Sequence, residues 1–176
     1  MENKPRHSAR QVALGGLLFA LSLLLAWLEG ALAPLLGLPP GIKPGLANVV
    51  VMYALYFLTA GWAARLVVLK ALFAFLVRGG AAGALSLSGG LCSLGVMLAV
   101  RFISRRKASV LAVSVAGAVS HNLGQLALAS LWLSGGFSFA YAPVLVVSGV
   151  CMGAFTSFTL RAVLPALEKA GLAPKG

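Results

Sequence analysis

Residues 108–160 read ASVLAVSVAGAVSHNLGQLALASLWLSGGFSFAYAPVLVVSGVCMGAFTSFTL, 53 consecutive positions without a formal charge. A soluble domain carries charge on about a quarter of its residues, so a run this long has no place on a water-facing surface. One bilayer crossing takes about 20 apolar residues, and the stretch therefore holds two. Ser134-Gly135-Gly136 is the break between them, because paired glycines beside a serine stop helices and start turns. The crossings are expected at 108–133 and 137–164.

The same pattern extends to the whole chain of 176 residues, which is 60 % hydrophobic and 10 % charged with a mean hydropathy of +0.99. Those values exclude a soluble enzyme, a secreted disulfide scaffold and a disordered chain. Four further apolar runs place spans at 11–36, 46–61, 62–78 and 83–103. The expected fold is an all-α integral membrane protein, a six-transmembrane-helix bundle forming one domain over 1–176. Lys4, Arg6 and Arg10 followed by an uncharged run, with Ala31-Leu32-Ala33 further on, imitate a signal peptide. However, the run from Gln11 to Leu28 exceeds the usual apolar region of about 7–15 residues, and Pro34 would follow the cut. It is read as the first transmembrane helix.

Lys and Arg orient the spans. With the N-terminus inside, the inner side receives Lys4, Arg6, Arg10, Arg65, Arg101, Arg105, Arg106, Lys107, Arg161, Lys169 and Lys175, which is 11 of the 14 basic residues. The outer side receives Lys43 and Arg78, and Lys70 falls within the membrane. Both termini are expected in the cytoplasm. The net charge of +11 is therefore a topology signal and not a nucleic-acid footprint.

The acidic residues are Glu2, Glu29 and Glu168, with no Asp. Such a chain builds neither a carboxylate pair nor an Asp-rich magnesium site, so it is expected not to be an enzyme, with no cofactor and no metal site. Cys92 and Cys151 lie inside apolar runs and are read as small buried apolar residues.

Candidate functional residues fall in five places. The connection Leu36–Ala47 holds three prolines and three glycines, which preset its backbone. It is either a rigid outer loop or a pocket wall on which Lys43 offers an ammonium to an anionic group, with Asn48 beside it. Ser114, Ala118, His121 and Gln125 share one helical face, with Asn122 adjacent. Polar groups in a membrane need partners, so this face should look into the bundle, as a structural hydrogen-bonded group or as part of a ligand pocket. The fourth span carries Gly83, Ser86, Ser88, Gly89, Gly90, Ser93 and Gly95, small residues that permit close helix packing or close approach of a ligand. Glu29, Lys70 and Arg78 are the charges in or at the edge of the membrane. Glu29 is expected to pair with Lys43 or Arg78, and Lys70 to need a partner or a wet cavity. Lastly, Ala9, Ala13, Gly16 and Ala20 form a small-residue face on the first helix, for packing within the chain or for docking a partner.

The loop Pro40-Gly-Ile-Lys-Pro-Gly-Leu-Ala-Asn48, the glycine/serine-rich fourth span and Ser120-His121-Asn122-x-x-Gln125 resemble the Gx transporter family over nearly the whole chain. Its bacterial members are often labelled heptaprenyl diphosphate synthase component I. That family is in turn similar to the substrate-binding S components of energy-coupling factor (ECF) transporters. The resemblance implies six helices, N-in and C-in, with a pocket in the outer half under the first loop. In S components an Ala-x-x-x-Ala face on the first helix docks on a transmembrane coupling subunit, and Ala9-x-x-x-Ala13 and Gly16-x-x-x-Ala20 are the matching positions. It thus implies a multi-pass subunit of the bacterial cytoplasmic membrane that captures a small polar-headed or anionic solute from the outer side. Import would need an ECF-type coupling subunit and ATPases. The pocket would draw on Lys43, Asn48, Ser86, Ser88, His121, Asn122 and Gln125. Prenyl transfer needs Asp-rich magnesium motifs, so in a synthase a chain without Asp is accessory. Family members are also associated with flavin transfer and electron-transfer modules. The alternative reading is a non-catalytic membrane subunit of an isoprenoid/quinone or flavin-linked electron-transfer complex. A self-sufficient channel or carrier is the third.

Overall fold

The computed structural model describes residues 7–35, 46–105, 107–132 and 142–169, and the regular structure among them is helical. In chain order the helices are α1 (His7–Leu35), α2 (Asn48–Phe57), α3 (Ala60–Arg78), α4 (Gly80–Ile103), α5 (Val110–Trp132) and α6 (Ala142–Lys169). Five of them are long and apolar enough to cross a bilayer; α2 is not. The chain is a multi-pass membrane protein whose lipid-facing surface carries Leu24, Trp27, Leu76, Phe102 and Phe158, all exposed.

The second span departs most from expectation. An apolar helix over 46–61 would cross most of the bilayer, whereas the ten residues of α2 rise only about 15 Å, half of a hydrocarbon core. The early stop is local chemistry. Leu58 leaves helical geometry at φ −113° and ψ −112°. Thr59 then caps α3, its hydroxyl accepting from the Trp62 backbone N–H at 3.2 Å. A threonine N-cap three residues before Trp62 starts the third helix ahead of the expected boundary. Gly79, at φ +88°, is the single residue that turns α3 into α4, a conformation that suits a residue without Cβ.

Glycines then set the helix seams. A methyl group at Gly83 would lie 2.6 Å from Phe75 Cβ, and one at Gly90 2.6 Å from Val67 Cγ1, so α3 and α4 run antiparallel in close contact. Gly89, Gly117 and Gly124 do the same between α4 and α5, and Gly149 and Gly153 between α5 and α6. Small residues let backbones approach and maximise dispersion contact where lipid offers no hydrophobic drive. Of the two readings of the fourth span, close packing accounts for its glycines at 83, 89 and 90.

Helix α2 sits innermost. Val50, Val51, Met52, Tyr53, Ala54 and Leu55 are all buried, and α2 touches α1, α3 and α6. Its C-terminal end is held by Arg101 of α4, which donates to the Leu55 carbonyl and stacks over the Tyr56 ring at 4.4 Å. A cation there complements the negative end of the helix. Arg65 stands over Trp62 at 5.0 Å, so Arg65 and Arg101 gather at the same end of the bundle. The Trp62 ring also covers Gly15, where a methyl group would come within 2.2 Å, and this contact seats α1.

One expectation is reversed. Cys92 and Cys151 are free thiols on exposed helix faces, not buried ones. In a membrane bundle the exterior is as apolar as the core, so an apolar residue carries no instruction to face inward.

Candidate functional site

Lys70 lies midway along α3 and is only 9 % exposed. Its Nζ donates to Asn48 Oδ1 at 3.2 Å, at the first residue of α2. Glu29 of α1 is 3 % exposed and its Oε1 accepts from the Ala47 backbone N–H at 2.9 Å. That N–H is one of the donors a helix start leaves without an internal partner, and a carboxylate suits the positive end of the dipole. Glu29 was expected to pair with Arg78 or Lys43. Arg78 instead ends α3 in an exposed position, and Lys43 lies outside the described residues. Glu29 and Lys70, the two intramembrane charges, both hold the N-terminal end of α2.

Beyond Asn48 lies a cavity of about 10 Å³, bounded by Asn48 and Met52 of α2, Ser93 and Met97 of α4, Ser114, Gly117 and Ala118 of α5, and Thr156 of α6. Ser114 Oγ donates to the Gly153 carbonyl at 2.7 Å, while Ser93 Oγ is buried with no partner among the described residues. Glu29, Asn48, Lys70, Ser93, Ser114 and Thr156 therefore form a polar thread to which each of the six helices contributes one side chain. All except Asn48 are buried, beside a core cluster that is hydrophobic.

The other expected site residues divide differently. Ser88 Oγ donates to the Gly124 carbonyl at 2.8 Å and Asn122 Nδ2 to the Leu145 carbonyl at 2.9 Å. His121 and Gln125 lie over Gly89, where a methyl group would be 2.9 Å from His121 Cε1 and 2.7 Å from Gln125 Cγ. Ser86 is buried on α4. Ser88, His121, Asn122 and Gln125 belong to the seams α5 makes with α4 and α6, apart from the cavity. The polar face of α5 does look into the bundle, but its residues serve two places: Ser114 and Ala118 the cavity, His121 and Gln125 the seam. On α1, Ala13, Gly16 and Ala20 are exposed, and a methyl group at Gly16 meets nothing within 4 Å. The small-residue face thus points out of the bundle; the inward glycine is Gly15. The Ala9 side chain lies outside the described ones. Thr156 went unnoticed in the sequence, although Thr156-Ser157 is a polar pair in an apolar run.

A family model described as heptaprenyl diphosphate synthase component I matches residues 18–163. The chain belongs to that family. The matched range takes in Glu29 through Thr156, so every residue of the polar thread lies inside it. No curated protein and no solved structure matches it.

Proposed function

We propose that the chain is a non-catalytic, membrane-embedded binding subunit that captures a small solute with a polar or anionic head and passes it on only in complex with a partner. The observation that carries this is the polar thread. Six helices each bring a polar side chain to one locus, at a cost in a low-dielectric bundle that packing alone does not require. The cavity is too small for a solute, so capture needs α2 to shift, and Glu29 and Lys70 hold the end of α2 that would have to move. The absence of Asp argues against prenyl-transfer chemistry in this chain. The outward small-residue face of α1 supports docking on an ECF-type coupling subunit, itself served by ATPases, in the bacterial cytoplasmic membrane. The family description favours a second reading, since a component I implies at least one further component. In that case the partner would be an isoprenoid/quinone or flavin-linked enzyme complex.

Purification in mild detergent followed by mass spectrometry of retained chains and small molecules separates the two. A coupling subunit and ATPases support the first reading, and a prenyl or redox enzyme the second. Gly16→Trp should leave the isolated chain folded, because nothing in it opposes the new side chain, while the partner is lost from the purified complex. Retention of the partner by the variant removes α1 as the docking face. Arg65 and Arg101 share one end of the bundle, which supports N-in and C-in; a tag inserted between Ser134 and Phe137 should accordingly be labelled from the outer side, and inner labelling would reverse the orientation.

A further inference from the structure

The Ser93 hydroxyl poses a problem that the solute reading does not address. It is 3 % exposed, lacks a partner among the described residues and faces a cavity shared with Asn48, Ser114 and Thr156. A buried hydroxyl left unsatisfied is costly. Apolar cavities stay dry, but one lined by several polar side chains with room to seat one water molecule takes it, and about 10 Å³ is that size.

The available donors and acceptors suit such a guest. An ammonium only donates, so the Lys70 bond fixes Asn48 Oδ1 on its own side and leaves Nδ2 as a donor toward the cavity. Ser114 gives its proton to the Gly153 carbonyl and keeps lone pairs for accepting. Ser93 can do either. A water that accepts from Asn48 Nδ2, donates to Ser114 Oγ and exchanges a bond with Ser93 Oγ makes three hydrogen bonds, the usual number for a buried water. A monovalent cation is disfavoured: no lining residue is charged, and the Lys70 ammonium sits one hydrogen bond away.

We propose that this cavity is a binding site for a single water molecule, bridging Asn48, Ser93 and Ser114 where α2, α4, α5 and α6 meet. The water links the Lys70 charge to the hydroxyls of α4 and α5 and closes the polar thread.

Ala118 lines the same cavity and supplies the test, which uses the full chain in detergent and needs no solute or partner. Ala118→Ser puts a hydroxyl where the water sits, so its melting temperature should stay near that of the wild type. Ala118→Val fills the space with carbon and strands Ser93 and Asn48, and should lower it by about 2–6 °C. In a dry cavity the order inverts, valine stabilising and serine destabilising, and that order overturns the proposal. Water-edited NMR of the wild type should show a long-lived water at the Ser93 and Ser114 amides that both variants lose; no such signal in the wild type equally overturns it. So does a melting temperature that rises with sodium in place of choline at constant ionic strength, which would make the occupant a cation.

Discussion

Glu29→Gln is expected to destabilise the folded chain by about 3–5 kcal/mol, and Glu29→Gln combined with Lys70→Met to recover most of that loss. The magnitude is the one expected if Glu29 and Lys70 compensate each other inside the bundle, because removing one member of a buried charge pair leaves the other uncompensated. Glutamine is the informative replacement because its amide oxygen can still accept from the Ala47 N–H, the bond that Glu29 makes at 2.9 Å. What it deletes is the carboxylate charge. Lys70→Met alone should also be costly, since it buries the Glu29 charge unmatched and takes the donor from Asn48 Oδ1. Together the two changes leave neutral groups of similar size, which buried sites tolerate well. Equilibrium unfolding of the four proteins in detergent closes a double-mutant cycle. Additive single effects would mean that Glu29 and Lys70 are not a pair, and the polar thread would lose its charged end.

The reason this pair was not legible in the sequence also explains which features were. Residues 108–160 announce two crossings because absence of charge over 53 positions is a one-dimensional signal, and Ser134-Gly135-Gly136 divides it. The boundary of α2 is different. The apolar run continues through Leu58, and a single hydroxyl at Thr59 decides where the helix stops, so span counting overran it. Glu29 and Lys70 are 41 positions apart, and no periodicity says that both reach the N-terminal end of α2. The stripe at 114, 118, 121 and 125 was readable as one face, yet 11 residues of helix extend about 16 Å. One face therefore reaches two depths, the cavity at one end and the Gly89 seam at the other. The thiols at Cys92 and Cys151 failed for a simpler reason. Inward and outward apolar faces differ little when the solvent is lipid, so burial follows residue size and seam geometry rather than hydropathy.

Gly153→Ala should cost about 3 kcal/mol, at the upper end of the range for overpacking, whereas Gly16→Ala should be neutral or stabilise by about 0.5–1 kcal/mol. Both glycines lie inside helices, where alanine is intrinsically preferred, so the opposite signs isolate the seam. At Gly153 the new methyl group would come within 2.4 Å of Val115 Cα, 2.8 Å of Val115 N and 3.0 Å of the Ser114 carbonyl. All three are backbone atoms, so no side-chain rotation relieves the clash and α5 must part from α6. At Gly16 nothing lies within 4 Å. The effect should reach the site, because the Gly153 carbonyl accepts the Ser114 hydroxyl at 2.7 Å and Ser114 lines the cavity. Displacing α6 frees that hydroxyl and moves Thr156, one turn along, away from Ser93. Thermal unfolding of both variants reads the stability difference, and the Ser93 and Ser114 amide shifts read the disturbance at the cavity. Equal melting temperatures for Gly153→Ala and Gly16→Ala would mean that the α5–α6 seam is loose, and a loose seam could not hold Ser114 and Thr156 in register with Asn48.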